Sequence, residues 1–294
     1  MRILVTGGTG FVGSAFVRTA LAAGHSVAVI SRTARVVPAT GEDWVHLNGS
    51  LAEPPWSGIS RFNPDACVHA AWIATPGVYL ESAENRSWVD WSQSFLNRLV
   101  AEGVRQVVAL GTCIEYRING VPLVEDHSEI VPASLYGQSK DVLHRALRQN
   151  LERHGVALAW ARLFYPYGPG EHPDRLVSSL IRRFRAGERV TLKTPRSIKD
   201  YIHVDDVAAA LLRTLETRFN GAINVGTGIG VAIGDLARQV AESVGRTELL
   251  DVPEIGVADP LDFVVADVAR LKSLGWTQQV RLERGLQRMI QAEL

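Results

Sequence analysis

Short apolar runs alternate with longer amphipathic stretches along most of the chain. The apolar runs predict strands at Ile3–Thr6, Ser26–Ile30, Trp44–Leu47, Ala66–Ala70, Gln106–Gly111 and Ala157–Leu163, with a short one near Ala222–Val225. Helical periodicity predicts helices at Gly13–Ala23, Ser82–Glu102, Leu135–His154, Leu176–Ala186, Val204–Glu216, Ile233–Val244, Val268–Leu274 and Leu282–Gln291. Apolar strands separated by helices are typical of a parallel sheet covered on both faces. The pattern therefore predicts an α/β protein with a doubly wound parallel sheet.

The regular alternation breaks directly after the strand that ends at Leu163. Residues Tyr165–Gly170 include two prolines and two glycines, which is typical of a loop at the entrance to a site. Since no low-complexity linker interrupts the chain, a second unit must be interleaved with the first. We predict a small C-terminal lobe that begins after this break and lies over the mouth of the sheet.

Composition limits the class of partner. The 294 residues are 46% hydrophobic and 21% charged, which allows a sizeable core and excludes a disordered chain. Because 31 Lys and Arg balance 31 Asp and Glu, the net charge favours neither nucleic acid nor a membrane surface. No uncharged run approaches the roughly 18 residues of a membrane span, and two widely separated cysteines argue against disulfides and a zinc site. These features predict a cytoplasmic protein with a small-molecule partner.

A glycine-rich turn follows the first predicted strand. Gly7, Gly10 and Gly13 are spaced three residues apart and lead into the first predicted helix. Gly7 permits the tight turn, Gly10 lets the backbone approach a pyrophosphate, and Gly13 lets the helix pack against the strand. The helix N-terminus faces the anion. The turn therefore predicts a dinucleotide-binding site.

The end of the second predicted strand bears on which dinucleotide is bound. An acidic residue there would accept a hydrogen bond from the adenosine ribose 2′-hydroxyl, but this chain has Ser31 and Arg32. Together with Arg35, these side chains can instead receive a 2′-phosphate. We therefore predict NADP(H), with NAD(H) as the alternative; the arginine is otherwise an exposed loop residue.

Tyr136 and Lys140 are spaced i, i+4 at the start of a predicted helix, so their side chains lie on one face. A cation about 5 Å from a phenol stabilises the phenolate by roughly 3 kcal/mol, or some two pKa units. We therefore expect Lys140 to lower the pKa of Tyr136 and the two residues to act as an acid–base pair.

A third group is expected at the end of the fifth predicted strand. Thr112 follows this strand, and open α/β sheets bind ligands at the carboxyl ends of their strands. Its hydroxyl can donate to a carbonyl oxygen or alkoxide, although it could also only cap a turn. Cys113 is expected to be a small buried residue and not a nucleophile. Glu115 could bind a sugar hydroxyl or be solvated.

These residues together resemble the extended short-chain dehydrogenases/reductases, in particular the NAD(P)-dependent nucleotide-sugar epimerase/dehydratase family. The resemblance covers nearly the whole chain. Besides the glycine turn and the Tyr136/Lys140 pair, it rests on the segments His69–Ala71, Arg162–Phe164, Tyr167–Gly170, Asp200–Val207, Asn224–Gly226 and Leu274–Trp276.

The resemblance implies a Rossmann domain over residues 1–164, to which 201–227 return, and a substrate-binding lobe over 165–200 and 228–294. It implies that Tyr136 donates or accepts the proton, that Lys140 binds the nicotinamide ribose and that Thr112 holds the reacting oxygen. Cofactor contacts are expected from Gly7, Gly10, Phe11, Val12, Ser31, Arg32, Leu51, Ala70, Ala71, Tyr136 and Lys140.

The chain also departs from the family pattern. Sugar-nucleotide 4,6-dehydratases have an Asp-Glu pair directly after the catalytic threonine, where this chain has Cys113 and Ile114, so dehydration lacks its acid and base. Three other family residues, near the adenine and the sugar pyrophosphate, are absent at Asn48–Leu51, at Tyr165 or Pro166, and around Val257–Asp259.

Substrate binding must then use other side chains. The diphosphate is expected to be held by basic residues from the set Arg182, Arg183, Arg196 and Lys199. The full set of predicted substrate contacts is Trp72, Cys113, Glu115, Tyr165, Arg182 and Arg196, and Tyr79 is a further candidate for stacking on the sugar or base.

The residues around Thr112 and the loop from Phe164 to Pro169 are most similar to 4-ketoreductases of nucleotide-linked deoxysugars. We therefore predict NADPH-dependent reduction of a nucleotide-linked 4-keto-6-deoxy sugar, with Tyr136 as proton donor. An NAD-dependent nucleotide-sugar 4-epimerase is the alternative, because it uses the same residues. A non-catalytic NADP(H)-sensing protein is a remote third possibility.

Association and metal binding are predicted from weaker signals. Trp88, Trp91, Phe95 and Leu99 recur at helical spacing, which suits either a core or a helix–helix interface. Because the family often dimerises through this helix and the one that bears Tyr136, we predict a homodimer. The histidines at 69, 172 and 203 lack metal-ligand spacing, and we assign no metal.

Overall fold

The computed structural model describes residues 1–33 and 43–292. Its strands are β1 (Arg2–Thr6), β2 (Ser26–Ser31), β3 (Trp44–Asn48), β4 (Ala66–His69), β5 (Gln106–Thr112), β6 (Ala157–Leu163), β7 (Tyr165–Tyr167), β8 (Val190–Thr191), β9 (Ile198–His203), β10 (Gly221–Val225), β11 (Gly230–Ala232), β12 (Leu250–Asp251) and β13 (Phe263–Val264). Its α-helices are α1 (Phe11–Ala22), α2 (Trp56–Phe62), α3 (Glu84–Ala101), α4 (Leu135–Arg153), α5 (Leu176–Arg185), α6 (Val204–Glu216), α7 (Ile233–Val244), α8 (Ala269–Ser273) and α9 (Leu282–Ala292). Short 3₁₀ turns cover Cys113–Glu115 and Thr247–Leu249.

Seven parallel strands form the central sheet, in the order β10-β6-β5-β4-β1-β2-β3. One apolar cluster, with Phe16 of α1 and Leu211 of α6, covers one face of the sheet. A second cluster, with Phe95 of α3 and Leu143 of α4, covers the other. The predicted doubly wound α/β fold is confirmed. The strand order reverses between β1 and β4, and such a switch point opens a crevice for a ligand.

The predicted strands and helices are all present, with ends displaced by two residues at most. Their apolar periodicity is strong because each one buries an apolar face, the helices α5, α7 and α9 in the small lobe and the others at the central sheet. The prediction missed α2 and the strands β7, β8, β9, β11, β12 and β13. Most of these strands are two or three residues long, which is too short to show an alternation. The strand β9 was missed because it contains the polar residues Lys199 and Asp200, which are nevertheless buried.

The missed strand β9 is the centre of a second sheet. It pairs with β7, β11 and β13, and a third apolar cluster packs here, with Phe184 of α5, Leu236 of α7 and Met289 of α9. The buried Asp200 carboxylate accepts hydrogen bonds from the backbone N–H groups of Thr227, Gly228 and Ala266. The predicted boundary between residues 200 and 201 thus falls inside β9, and the substrate-binding role of this lobe stays a prediction.

Two further features are the apolarity of the helices and the state of the two cysteines. Across the helices of the described ranges, we find none whose length and apolarity would suit a membrane crossing. Cys67 and Cys113 are both buried and free, as predicted from their spacing.

Candidate active site

The glycine turn joins β1 to α1 at the switch point. Gly7 has a φ of +69°, and a Cβ on it would lie 2.7 Å from the carbonyl carbon of Ala70. A Cβ on Gly13 would lie 2.1 Å from the carbonyl oxygen of Gly7. Gly10 precedes α1, so no capping side chain occupies the first N–H groups of the helix. The turn fits an anionic dinucleotide, since it leaves helix N–H groups free and lets backbone approach closely.

The neighbouring strand ends complete this crevice. The N–H of Ala71 donates to the Thr6 hydroxyl at 3.3 Å, and that oxygen lies 2.9 Å from Nδ1 of His69. The other ring nitrogen of His69 lies 3.0 Å from the Ser92 hydroxyl of α3. Burial and the charge of Lys140 lower the pKa of His69 to about 3, so this histidine is neutral at pH 7. His69 therefore fixes the loop after β4 instead of exchanging protons.

The other predicted cofactor residues follow β1, β2 and β3. Phe11 and Val12 form the first turn of α1 and are partly buried, whereas Leu51 is buried after β3. Ser31 ends β2, donates to the carbonyl oxygen of Thr33 and lies 2.9 Å from Nε2 of His46. Arg32 follows and is exposed. Arg35, the third residue proposed for a 2′-phosphate, lies outside the described residues.

The predicted acid–base pair lies in the first turns of α4. The Ser134 hydroxyl caps this helix by accepting from the N–H of Gly137, and the N–H of Tyr136 donates to the carbonyl oxygen of Leu80. Lys140 Nζ lies 5.8 Å from the centroid of the Tyr136 ring. The i, i+4 spacing thus brings the two side chains together, as predicted.

The expected direction of the Tyr136 pKa shift was wrong. Burial raises the pKa of Tyr136 above its ordinary value, and the charge of Glu115 acts in the same direction. Tyr79 packs edge-on against the Tyr136 ring at 4.9 Å between centroids and excludes water. Desolvation therefore outweighs the charge of Arg175, which acts in the opposite direction. Tyr136 is a neutral phenol, which suits a proton donor.

Lys140 is held by neutral groups. Its Nζ donates to the carbonyl oxygen of Leu110 at 2.7 Å and lies 3.8 Å from the centroid of the Trp72 ring. Burial lowers the pKa of Lys140 to about 7. The Trp72 indole donates to Asn85 at 2.8 Å, and the ring of this predicted substrate residue contacts Lys140, the predicted catalytic lysine. Binding of Lys140 to a nicotinamide ribose stays a prediction.

Thr112 is the last residue of β5, as predicted. The side chain of Thr112 is almost buried. The 3₁₀ turn that follows Thr112 packs closely against the first turn of α4, since a Cβ on Gly137 would lie 3.0 Å from the Ile114 carbonyl oxygen. Cys113 is buried beside Tyr116 and Phe164, and burial raises its thiol pKa to about 12. It is a thiol at pH 7, consistent with a packing residue and not with the predicted substrate contact.

Glu115 does not bind a sugar hydroxyl from the cleft. Its carboxylate is fully buried and accepts hydrogen bonds from the N–H of Thr112 at 2.8 Å, the Trp160 indole and the Arg162 guanidinium. These donors occupy the carboxylate oxygens. The prediction for Glu115 was wrong because the sequence around it does not show that Arg162 of β6 lies beside it.

A cleft in the small lobe is lined by Tyr165, one of the aromatic residues predicted to contact the substrate. It has a volume of about 120 Å³ and includes Tyr165, Arg175, Lys199 and Tyr201 in its lining. Lys199 Nζ lies 5.6 Å from the centroid of the Tyr165 ring and donates to Asp259 at 2.9 Å. The lining of this cleft is therefore aromatic, with the cationic side chains of Arg175 and Lys199 and the carboxylate of Glu171.

The three arginines predicted for the diphosphate lie outside the cleft around Tyr165, and one of them, Arg183, pairs with Glu188. Arg182 is exposed on α5 and pairs with Asp174, and Arg196 lines a separate groove with Arg238. Neither lines the cleft around Tyr165, because α5 directs Arg182 outwards and Arg196 precedes β9.

Sequence reasoning missed Arg175, which precedes α5 and lies 5.7 Å from the centroid of the Tyr79 ring. Its charge opposes the rise in the pKa of Tyr136, so it faces the catalytic pair. The sequence indicated this site residue only by the position of Arg175 between Pro173 and the start of the predicted helix.

The chain is similar to known proteins over nearly its whole length. The NAD dependent epimerase/dehydratase family matches residues 3–226. The chain belongs to this family. It is therefore an enzyme of the extended short-chain dehydrogenase/reductase type, as predicted from the glycine turn and the Tyr136/Lys140 pair.

Three relatives illustrate the range of the family. The chain is 26% identical to the UDP-glucose 4-epimerase of Corynebacterium glutamicum over 95% of its own length and 91% of the relative. It is 27% identical to UDP-glucuronic acid decarboxylase 6 of Arabidopsis thaliana, over 97% and 87% of the two chains. The solved UDP-glucose 4-epimerase of Thermus thermophilus, in complex with NAD, superposes with a TM-score of 0.85 at 27% identity and covers 99% and 98% of the two chains.

Proposed function

We propose that this enzyme reduces a nucleotide-linked 4-keto-6-deoxy sugar with NADPH. The observation that carries the coenzyme preference is the end of β2, where Ser31 and the exposed Arg32 replace an acidic residue. A carboxylate there would repel a 2′-phosphate, whereas a guanidinium and a hydroxyl bind it. An enzyme that consumes NADPH carries out net reduction, whereas an epimerase returns its coenzyme to the starting state.

The residues of the site have distinct parts in such a reduction. When bound, the nicotinamide coenzyme supplies the hydride to the ketone carbon. The Thr112 hydroxyl orients the ketone oxygen, and the Tyr136 phenol donates the proton that turns this oxygen into a hydroxyl. Because burial raises the pKa of Tyr136, its phenol is protonated at pH 7, as proton donation requires. The Lys140 ammonium stabilises the phenolate that remains.

The two positions after Thr112 argue against elimination chemistry. Cys113 is a buried thiol and Ile114 has no ionisable group. Removal of water from the sugar needs a base at C5 and an acid at C6, and neither residue supplies one at pH 7. We therefore propose hydride transfer at C4 without dehydration.

The cleft of the small lobe is the proposed place of the nucleotide part. Relatives across this family carry names that refer to UDP-sugars. Arg175 and Lys199 can pair with diphosphate oxygens, and Tyr165 and Tyr201 present rings that can stack on a base or sugar. This assignment replaces Arg182 and Arg196.

A titration tests the proposal. Purified enzyme is denatured to detect bound coenzyme and then titrated with NADPH and NADH. We expect an empty site and at least about tenfold tighter binding of NADPH, which corresponds to about 1.4 kcal/mol. Arg32→Glu should remove this preference, whereas Arg61→Glu, at an exposed site on α2, should keep it. NADPH oxidation with a nucleotide-linked 4-keto-6-deoxyhexose then tests turnover.

A UDP-sugar 4-epimerase is the second candidate. The relative from Corynebacterium glutamicum and the Thermus thermophilus structure with NAD favour it, and it would use the same three residues. Stoichiometric NAD in the purified protein, with interconversion of UDP-glucose and UDP-galactose and no added coenzyme, would replace our proposal by this one. Tight coenzyme binding without turnover of any keto sugar or alcohol would instead support a non-catalytic sensor.

We also propose a homodimer formed through α3 and α4, which pack side by side on one face of the sheet. Trp91 is 37% exposed on α3, and a second copy would cover it. Light scattering at micromolar concentration should give the dimer mass for the wild type and the monomer mass for Trp91→Glu. A monomeric wild type would contradict this proposal.

A further inference from the structure

The end of β5 holds both the threonine and the lysine of the proposed active site through its backbone. The carbonyl oxygen of Leu110 accepts from Lys140 Nζ, and the Thr112 N–H donates to Glu115 Oε1. Between them, a Cβ on Gly111 would lie 2.7 Å from Glu115 Oε1 and 2.3 Å from the Trp160 indole nitrogen. The Glu115 carboxylate therefore fills the space behind Gly111, directly behind the two residues that carry the catalytic contacts.

This carboxylate belongs to a buried ion pair. Arg162 Nε donates to Glu115 Oε2 at 2.8 Å, with the two side chains 3% and 0% exposed. Arg162 also donates to the Tyr116 hydroxyl, which donates to Asn224 of β10. The pair thus links the ends of three neighbouring strands. Burying two charges is costly even when they are paired, so a buried ion pair is weak evidence of a role in stability alone.

The charged and titratable groups around Lys140 show what the pair adds to the site. His69 of β4 and His144 of α4 both have a pKa of about 3 and are neutral at pH 7. Tyr136 is a neutral phenol, and so is Tyr116, whose pKa burial also raises. Cys113 is a thiol. Among the groups of the described ranges, Glu115 is the one whose charge raises the pKa of Lys140 against the effect of burial.

We propose that Glu115 is a positioning residue for the reaction: its buried carboxylate fixes the end of β5 and supplies the negative charge that keeps Lys140 an ammonium ion. The inference rests on the proposed hydride-transfer function, because that function gives the ammonium its purpose. Burial raises the pKa of the Glu115 carboxyl, and the charge and hydrogen bond of Arg162 oppose that rise, so the pair acts on Lys140 through Glu115.

The test measures the charge of Lys140 directly. The chain has four lysines, Lys140, Lys193, Lys199 and Lys272, so the ¹³Cε resonances of labelled lysine can be followed against pH and assigned with Lys140→Met. Glu115→Gln keeps the shape and the acceptor for Thr112 but removes the charge. Arg162→Lys disturbs the geometry of the pair and keeps both charges. Asp206→Asn, at another buried carboxylate that accepts from backbone N–H groups, controls for lost stability.

We expect the Lys140 midpoint to fall by about one pH unit in Glu115→Gln and to stay in place in Arg162→Lys and Asp206→Asn. The alkaline limb of kcat/KM should move with it. An unchanged midpoint in Glu115→Gln, or an equal fall in Glu115→Gln and Arg162→Lys, would overturn the proposal and leave a structural role only. If Glu115→Gln does not fold, the double variant Glu115→Gln/Arg162→Met avoids an unpaired guanidinium and should show a smaller fall, because the opposing charge of Arg162 is removed as well.

The resonance titration needs no substrate. Failure of the proposed reductase activity would therefore appear as absent NADPH oxidation with every keto sugar, while the Lys140 titration would still decide the role of Glu115.

Discussion

Tyr136 and Lys140 lie one helical turn apart, and burial shifts their pKa values in opposite directions. The phenol becomes a weaker acid and the ammonium a stronger one, because in both cases the low-dielectric surroundings disfavour the charged form. The spacing of the two residues was evident from the sequence. Their charge states were not, because these depend on Tyr79, Trp72 and Leu110, which approach from other parts of the fold.

The proton-donor role of Tyr136 is testable by removal of one oxygen. Tyr136→Phe keeps the ring that packs against Tyr79 but has no proton to donate, so kcat should fall by about 10²- to 10⁴-fold. NADPH affinity should be unchanged in the same titration. Tyr79→Phe is the matched control, since it keeps the edge-on ring contact, and it should retain most of the activity. A Tyr136→Phe enzyme of near wild-type kcat would exclude this residue as the donor.

The turn between β1 and α1 shows how one element combines coenzyme binding and packing. Its three glycines were predicted from their spacing. A Cβ on Gly7 or Gly13 would overlap backbone atoms, and a Cβ on Gly10 would lie 3.3 Å from the Gly7 carbonyl oxygen. The close approach of Gly7 to Ala70 also sets the width of the crevice at the switch point. The three glycines together therefore indicate a dinucleotide-binding turn, although a single glycine would not.

Substitution within this turn separates close packing from backbone strain. Gly13→Ala should lower the free energy of unfolding by about 3 kcal/mol, because its Cβ overlaps the Gly7 carbonyl oxygen, and should weaken coenzyme binding. Gly24→Ala lies at a φ of +77° in open space and should cost about 1 kcal/mol with unchanged coenzyme affinity. Urea unfolding and NADPH titration measure both quantities. Equal losses in the two variants would contradict the packing argument.

The elements of the small lobe were harder to predict than those of the central sheet. β8, β12 and β13 have two residues each, too few to show an alternation. In β9, Lys199 and Asp200 are buried because Asp259 and three backbone N–H groups neutralise or bond them. A strand that buries polar groups with partners from distant segments has no apolar signature in its own sequence.

For the whole molecule, the neutral histidines His69 and His144 make stability depend on pH. His69 and His144 have a pKa of about 3 in the folded state against about 6.5 in the unfolded chain. Below pH 6.5 the unfolded chain therefore binds protons that the folded protein does not, and stability falls as the pH falls. This contribution is complete at pH values above the unfolded pKa.

Urea unfolding at two pH values measures this dependence. Between pH 7 and about pH 5.5 the free energy of unfolding should fall by about 2.5 kcal/mol from these two groups. His144→Phe keeps a ring stacked on Trp160, which lies 4.7 Å from the His144 ring, but does not titrate. About half of the fall should then disappear. A fall of the same size in His144→Phe and the wild type would show that His144 is protonated when folded.

The sequence by itself determined the elements of the central sheet, the dinucleotide turn, and the residues Thr112, Tyr136 and Lys140. Those features depend on neighbours within about four positions along the chain, as apolar period, glycine spacing and helical stacking do. Tertiary structure alone decided that Glu115 pairs with Arg162, that Arg175 and not Arg182 faces the cleft, and that burial raises the pKa of Tyr136. Each of these depends on segments tens of residues apart, because desolvation and charge pairing are properties of what surrounds a group in space.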